Sequence, residues 1–278
     1  MKKTKLMLVA VAMFIASTAF GQIYFNLGTG YHMQALDNLT SYTANNGEVD
    51  SSTYSLGGGM PINIGLGIGL TNNLSVEING EYLNGGEIEV FNSQVDVPSA
   101  KNSDIITTKS TQLRLIPSIL YSTGNEGLSF YGKVGLVVPV SGTTEGERVF
   151  INEKSSAANI TEGFESVSEF SLGFRAGAGV SLGLTNNVSL IGGFELTSLK
   201  IQGSSTTITK YEVGGKDGLS GYSMWQKKTV FSDNPNEAQM NPAHPDFDNS
   251  KPNEAKYEDP ASYGSWGINL GIKYTLGN

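Results

Sequence analysis

The sequence predicts an all-β fold, an eight-stranded antiparallel up-and-down transmembrane β-barrel with four long loops at one end and three short turns at the other. Three observations predict it. Apolar residues recur with a period of two; the opposite parity is filled mostly by glycine and small polar residues; and long and short connections alternate strictly along the chain. A period of two is the signature of a strand, whose successive side chains point to opposite faces.

The stretch Leu56 to Tyr82 carries the argument most clearly. Leu56, Met60, Ile62, Ile64, Leu66, Ile68 and Leu70 share one parity, and Gly57, Gly59, Pro61, Asn63, Gly65, Gly67 and Gly69 the other. After Thr71-Asn72-Asn73 the alternation resumes, with Leu74, Val76, Ile78 and Tyr82 against Ser75, Glu77, Asn79 and Glu81. A soluble sandwich would stud its second face with Lys, Thr and Glu. A strand of this length also suits a bilayer, which takes about 9–11 tilted residues. The apolar parity is therefore expected to face lipid and the small polar parity the inside of a closed barrel.

The remaining strands follow the same rule. Ile23 to Met33 sets Ile23, Phe25, Leu27, Tyr31 and Met33 against Asn26, Gly28, Gly30 and His32. A fourth strand sets Thr111, Leu113, Leu115, Pro117, Ile119 and Tyr121 outward, with Gln112, Arg114 and Ser118 inward. Leu128 to Val140 and Phe170 to Leu184 continue it, the latter with seven inward residues limited to Ser, Gly and Arg175. Thr185-Asn186-Asn187 repeats the first turn before Val188 to Leu196, and Trp266 to Leu276 closes the set. Asn tolerates the positive φ that tight hairpins need. Pro61 and Pro117 lack an N–H and are expected where a ladder bond is dispensable.

Between these strands lie polar stretches, Leu36 to Thr53, Asn84 to Thr107 and Ser141 to Glu165, without a sustained period. The fourth, residues 203–264, is the longest. Thr206 to Val213 and Leu219 to Phe231 flank Gly214 to Gly218 as a projecting hairpin, and Ser232 to Ser262, rich in Asn, Pro, Asp and Glu, is expected to be irregular and mobile.

The chain opens with Lys2, Lys3 and Lys5, an apolar run from Leu6 to Phe20, and small residues at Ala19 and Gly21. This is the pattern of a secretory signal peptide over residues 1–21, leaving 22–278 as a single barrel domain. No later apolar run is long enough for a membrane helix, so strands are the route across a membrane. The mean hydropathy of -0.15 does not oppose this, because alternation hides apolar residues from a window average. Acidic residues number 26 against 18 basic, which excludes nucleic acid as a partner. With no cysteine there is no disulfide framework and no thiolate metal site.

An eight-stranded barrel is only wide enough to be filled by side chains. Glu77, Glu81 and Glu195 are expected to face Arg114, Lys133 and Arg175 as an interior charge belt. Counting from the short turns puts all of these except Glu77 at similar height. Centring one turn on Asn186 sets Arg175 opposite Thr197, with Glu195 its diagonal neighbour. Two readings follow from the same belt, salt-bridged packing and a narrow path for small or hydrophobic solutes. A lipid-active enzyme is the third possibility, but His32 and His244 belong to no visible triad, so no catalytic residue is assigned. No cofactor or metal is expected. Asp246-Phe247-Asp248-Asn249 lacks the spacing of a calcium loop. Tyr31, Tyr82, Tyr121, Phe130, Phe170, Trp266 and Tyr274 fall at strand ends on the lipid parity, where aromatic girdles form. In the fourth loop Tyr222, Trp225 and Phe231 are candidates for a contact patch.

With these features in hand, the sequence resembles the outer-membrane β-barrel domain family, the small OmpA/OmpX-like and porin-family barrels of Gram-negative bacteria. The turn Leu182-Gly183-Leu184-Thr185-Asn186-Asn187 and the segment Gly271-Ile272-Lys273-Tyr274-Thr275-Leu276 carry the resemblance. It implies a monomer exported to the outer membrane, with short periplasmic turns and external loops. Its expected partners are outer-membrane lipid, the barrel-insertion machinery during assembly and an extracellular ligand. The implied role is structural, adhesive or surface-binding, without enzymatic activity.

Overall fold

The computed structural model describes residues 22–35, 39–46, 48–97, 100–124 and 127–276. The leader expected over residues 1–21 lies outside the described residues. The chain starts with β1 (Ile23–Gln34), a hairpin of β2 (Leu39–Asn45) and β3 (Glu48–Tyr54), and then β4 (Gly59–Gly69) and β5 (Leu74–Gly85). Strands β6 (Ile88–Val97), β7 (Ala100–Ser122), β8 (Leu128–Asn152), β9 (Ile160–Ser168), β10 (Gly173–Gly183) and β11 (Val188–Ser198) follow. The last part holds β12 (Lys200–Ile201), β13 (Gly203–Val213), β14 (Lys216–Asp217), helix α1 (Met224–Lys227), β15 (Lys228–Ser232) and helix α2 (Glu237–Met240). It ends with β16 (Asn253–Lys256), β17 (Ala261–Ser262) and β18 (Ser265–Leu276).

Antiparallel pairing runs from β1 to β4, β5, β7, β8, β10 and β11, then to β18, which pairs back onto β1. Alternation of burial along these strands follows the apolar period. Ile62, Ile64, Leu115, Ile119, Phe174, Leu196, Ile268 and Leu270 are exposed on the outside, as are all seven girdle aromatics. Asn79, Glu81, Arg114, Ser118, Arg175, Ser181 and Glu195 are buried on the inside. The structure is thus all-β with its apolar side chains turned outward, the inverse of a water-soluble core.

The prolines sit at interruptions of the ladder. Between β1 and β4 the register has a gap from Thr29↔Ile62 to His32↔Gly59, which spans Pro61. The Thr29 hydroxyl donates to the Pro61 carbonyl at 2.8 Å there. Pro117 pairs with Ile78 on β5, but on the β8 side pairing stops at Leu115↔Val138 and resumes at Ser118↔Gly135. A register shift between Leu113 and Arg114 places Pro139 at a bulge.

The long connections depart most from the sequence expectation. They are not mainly irregular loops but an extension of the sheet. Strands β7 and β8, of 23 and 25 residues, run far beyond the roughly 9–11 that a bilayer needs and stay paired to Asn102↔Asn152. On β7 the extension adds β6, β2 and β3; on β8 it adds β9, β13, β15 and β16. The polar stretches at Leu36 to Thr53, Asn84 to Thr107 and Ser141 to Glu165 are therefore largely strand. Their backbones are satisfied by neighbours whose side chains are polar on both faces, so no apolar period marks them. In the fourth connection β13 pairs with β15 from Ser205↔Val230 to Thr207↔Lys228, while residues 219–227 form a 3-10 turn and α1 rather than strand. The supposedly irregular Ser232 to Ser262 contains α2, β16 and β17.

A second correction concerns Leu56. It shares the parity of the outward residues, but β4 begins only at Gly59, and Leu56 turns inward. It joins a buried apolar cluster with Ile116, Val137, Leu199, Ile201 and Tyr263. The small sheet β12–β17 pins this cluster, helped by Leu56 N–H to Ser262 O at 2.9 Å, Tyr263 N–H to Leu199 O at 2.8 Å, and the Ser55 hydroxyl on the Gly264 carbonyl.

Candidate functional site: a charged plug above a polar cavity

Inward residues at mid-height form one ion-pair network. Arg175 lies opposite Thr197 across β10 and β11 and donates from Nε to its hydroxyl at 2.9 Å. Its Nη1 and Nη2 reach Glu81 Oε2 and Oε1 at 2.6 and 2.8 Å, and Nη1 lies 3.3 Å from Glu195 Oε2. Arg114 sits directly opposite Glu81 on the neighbouring strand and donates to it at 3.2 Å, with Nε on Gln112 at 2.7 Å. Lys133 Nζ contacts Glu195 Oε1 at 2.8 Å. The side chains of Arg114 and Glu81 are 0% exposed. Charges at this depth persist only when paired, and each of the five has at least one ion-pair partner.

Glu77 stands apart from these five. Four residues along β5 from Glu81, it is displaced by roughly 13 Å at strand rise. It accepts from the Tyr24 hydroxyl at 2.8 Å and from Asn79 Nδ2 at 3.2 Å, with no ion pair among the described residues. Tyr24, which sequence reasoning does not single out, has its ring under Lys273 Nζ, 5.4 Å from the centroid.

Below the network, toward the short turns, lies a cavity of ≈ 1070 Å³. Thr71, Asn73, Thr185 and Asn186 line its mouth, and Lys133, Arg175, Glu195 and Asn269 its deep end. A glycine makes room for one of its lining side chains: a Cβ at Gly67 would lie 2.2 Å from the Tyr24 ring, which packs against it. Above the network the apolar cluster around Leu199 and Tyr263 closes the interior, so the network and cluster together form a plug.

His32 is buried opposite Gly59 and Gly267, and neither ring nitrogen has a hydrogen-bond partner among the described residues. His244 Nδ1 accepts from the Asp246 amide at 3.2 Å in an exposed turn. The candidate contact aromatics do not form one exposed patch. Tyr222 stacks on Tyr211 with ring centroids 4.9 Å apart; Trp225 meets Phe247 edge-on at 5.6 Å and donates to the Gln239 carbonyl at 2.7 Å; Phe231 lies half-buried on β15. Each large ring buries area against its own loop before it could serve a partner. The plug residues Leu56, Leu199, Ile201 and Tyr263 escape sequence reasoning because each is a single apolar residue in a polar stretch.

The outward apolar wall, the charged interior and the polar turn-side cavity define a membrane-embedded β protein. The sequence pattern of the family described as "Outer membrane protein beta-barrel domain" matches residues 6–226, and the chain belongs to that family. Among solved structures it is similar to Neisserial surface protein A, at 11% identity over 91% of this chain and 96% of that one, with a TM-score of 0.38. It is also similar to the N-terminal β-barrel domain of Pseudomonas aeruginosa OprF, at 12% identity, 92% and 99% coverage and a TM-score of 0.34. A third likeness is to Ail, the attachment invasion locus protein of Yersinia pestis, at 10% identity, 92% and 99% coverage and a TM-score of 0.32. Among curated proteins nothing matches the chain.

Proposed function

We propose that the ring of strands β1, β4, β5, β7, β8, β10, β11 and β18 is an eight-stranded up-and-down barrel spanning the outer membrane. On this reading the barrel is a plugged platform, and the sheet extension is its working surface, held outside the cell for a structural or adhesive role. One observation carries the reading: an ion-pair network centred on the fully buried Arg114–Glu81 pair and an apolar cluster lie in series across the interior. A ring of eight strands is narrow enough for side chains to close it at one level, which accords with a plug above the turn-side cavity.

The charge distribution supports a display role. Of the 26 acidic residues, all but Glu77, Glu81, Glu126 and Glu195 lie in the four long connections. The extension is thus an acidic surface and the wall is not. The reading is non-enzymatic, in keeping with the outer-membrane barrel family to which the chain belongs. It implies export through a cleaved leader, assembly by the insertion machinery, a monomer in outer-membrane lipid, and an extracellular ligand for the extension.

The test is planar-bilayer conductance of the refolded protein, with heat-modifiable migration in detergent gels as the check on insertion. Stable insertion without current steps is expected. Discrete steps that change on Arg114→Ala would instead establish a solute path through the network.

A further inference from the structure

The plug network is not charge-balanced. Three cations, Arg114, Lys133 and Arg175, share two carboxylates, Glu81 and Glu195. Both guanidiniums converge on Glu81, and Glu195 divides its oxygens between Lys133 and Arg175. The other inward charges, Glu77 and Lys273, are one of each sign and leave the excess unchanged. Within a wall surrounded by lipid, a charge without a counter-charge is strongly disfavoured.

The same region holds polar atoms in need of partners. Arg114 Nη2, Asn269 Nδ2 and both ring nitrogens of His32 have no hydrogen-bond partner among the described residues. Glu195 Oε2 and Asn269 Oδ1 are acceptors in the same position, though the first lies 3.3 Å from Arg175 Nη1. Lys133, Arg175, Glu195 and Asn269 are the members that reach the cavity. A solute entering past the short turns therefore meets two cations, one carboxylate and an amide at the deep end, an excess of one positive charge.

We propose that the deep end of this cavity binds one small monoanion, a halide or a small carboxylate, against Lys133, Arg175 and the Asn269 amide. One negative charge balances the network; a dianion would overshoot it. The ligand completes the plug rather than passing through it, and its route of entry is from the periplasmic side.

The experiment soaks crystals of the refolded protein in sodium bromide and locates bromide by anomalous scattering. Thermal unfolding in bromide, acetate and sulfate at equal ionic strength runs alongside. One bromide beside Lys133 and Arg175 is expected, with a rise in Tm in bromide or acetate over sulfate. Lys133→Gln evens the balance and is expected to lose the bromide and about ten-fold in apparent affinity. Glu195→Gln adds to the excess and is expected to tighten binding; it carries the test if Lys133→Gln does not fold. Protection by acetate without a bromide peak assigns the site to carboxylates. An interior empty of bromide with no anion-specific rise in Tm overturns the proposal. Equal binding by wild type and both variants overturns it as well.

Discussion

The two halves of the ring interior share the same strands and differ in how they are filled. On the side of the long connections the inward positions are Leu83, Gln112, Arg114 and Thr197, supplemented by Leu56 and Tyr263 from outside the ring. On the side of the short turns they are Gly28, Gly65, Gly67, Gly179 and Gly271, with serines and asparagines between them. Bulk on one side gives a plug and its lack on the other a cavity of ≈ 1070 Å³. The difference teaches that a barrel of this width is opened or closed by side-chain volume on one parity, at constant backbone.

The comparison breaks most directly at Glu81. Glu81→Ala leaves two buried guanidiniums facing each other without their shared carboxylate, which is expected to cost about 3–5 kcal/mol. In the hollow half Glu77→Gln removes a carboxylate that among the described residues bonds Tyr24 and Asn79 alone, and is expected to cost no more than about 1.5 kcal/mol. Urea unfolding of both variants in detergent measures the contrast. Equal losses would show that the network is not the seat of the plug's stability.

Leu199→Ala tests the apolar part of the same plug. Leu199 is 2% exposed within the cluster, so truncation is expected to destabilise by about 2–5 kcal/mol. It should also admit current in planar bilayers only if the charged network alone cannot seal the interior. A variant as stable as wild type would mean that the cluster is peripheral to the fold.

How much of this was legible in the sequence depends on which face a residue's neighbours present. The wall strands were, because lipid on one side and a narrow interior on the other impose a period of two. Arg175 opposite Thr197 followed from a turn centred on Asn186, since register propagates from a tight turn without side-chain information. The extension was not legible: β2, β3, β6 and β9 are polar or half-buried on both faces, and strand pairing alone leaves no hydropathy mark. Leu56 misled because parity continues past the strand end at Gly59, whereas the side chain's direction does not. The network's members could be named from inward parity and height. Their excess of positive charge needed the actual pairing of Glu81 with two arginines.

The glycine-lined half offers a smaller and sharper test. A Cβ at Gly67 would meet the Tyr24 ring at 2.2 Å, so Gly67→Ala must displace the ring and its bond to Glu77. A cost of about 1–3 kcal/mol is expected. Gly132 on the outer face has nothing within 4 Å of its Cβ position, and Gly132→Ala is expected to be close to neutral. If both substitutions are neutral, the cavity half tolerates bulk, and its hollowness is not enforced by packing.

The smallest expected effect lies outside the wall, in the pair Tyr211 and Tyr222. The Tyr222 phenol is pushed up from 10.0 to about 12, first by burial against its loop and then by its hydrogen bond with Tyr211. A raised phenol favours the protonated form in the folded loop. Its contribution is therefore fully present below pH 10.0 and is lost as pH rises through about 12. Phenolate absorbance during alkaline titration reads this directly, and Tyr211→Phe is expected to bring the Tyr222 midpoint down toward its ordinary value. An unchanged midpoint would sever Tyr222 from Tyr211 and return it to the solvent side of the extension, where it could meet a partner. The loop's aromatics hold the extension's own fold if the midpoint falls, and the acidic strands around them are then left as the surface that faces outward.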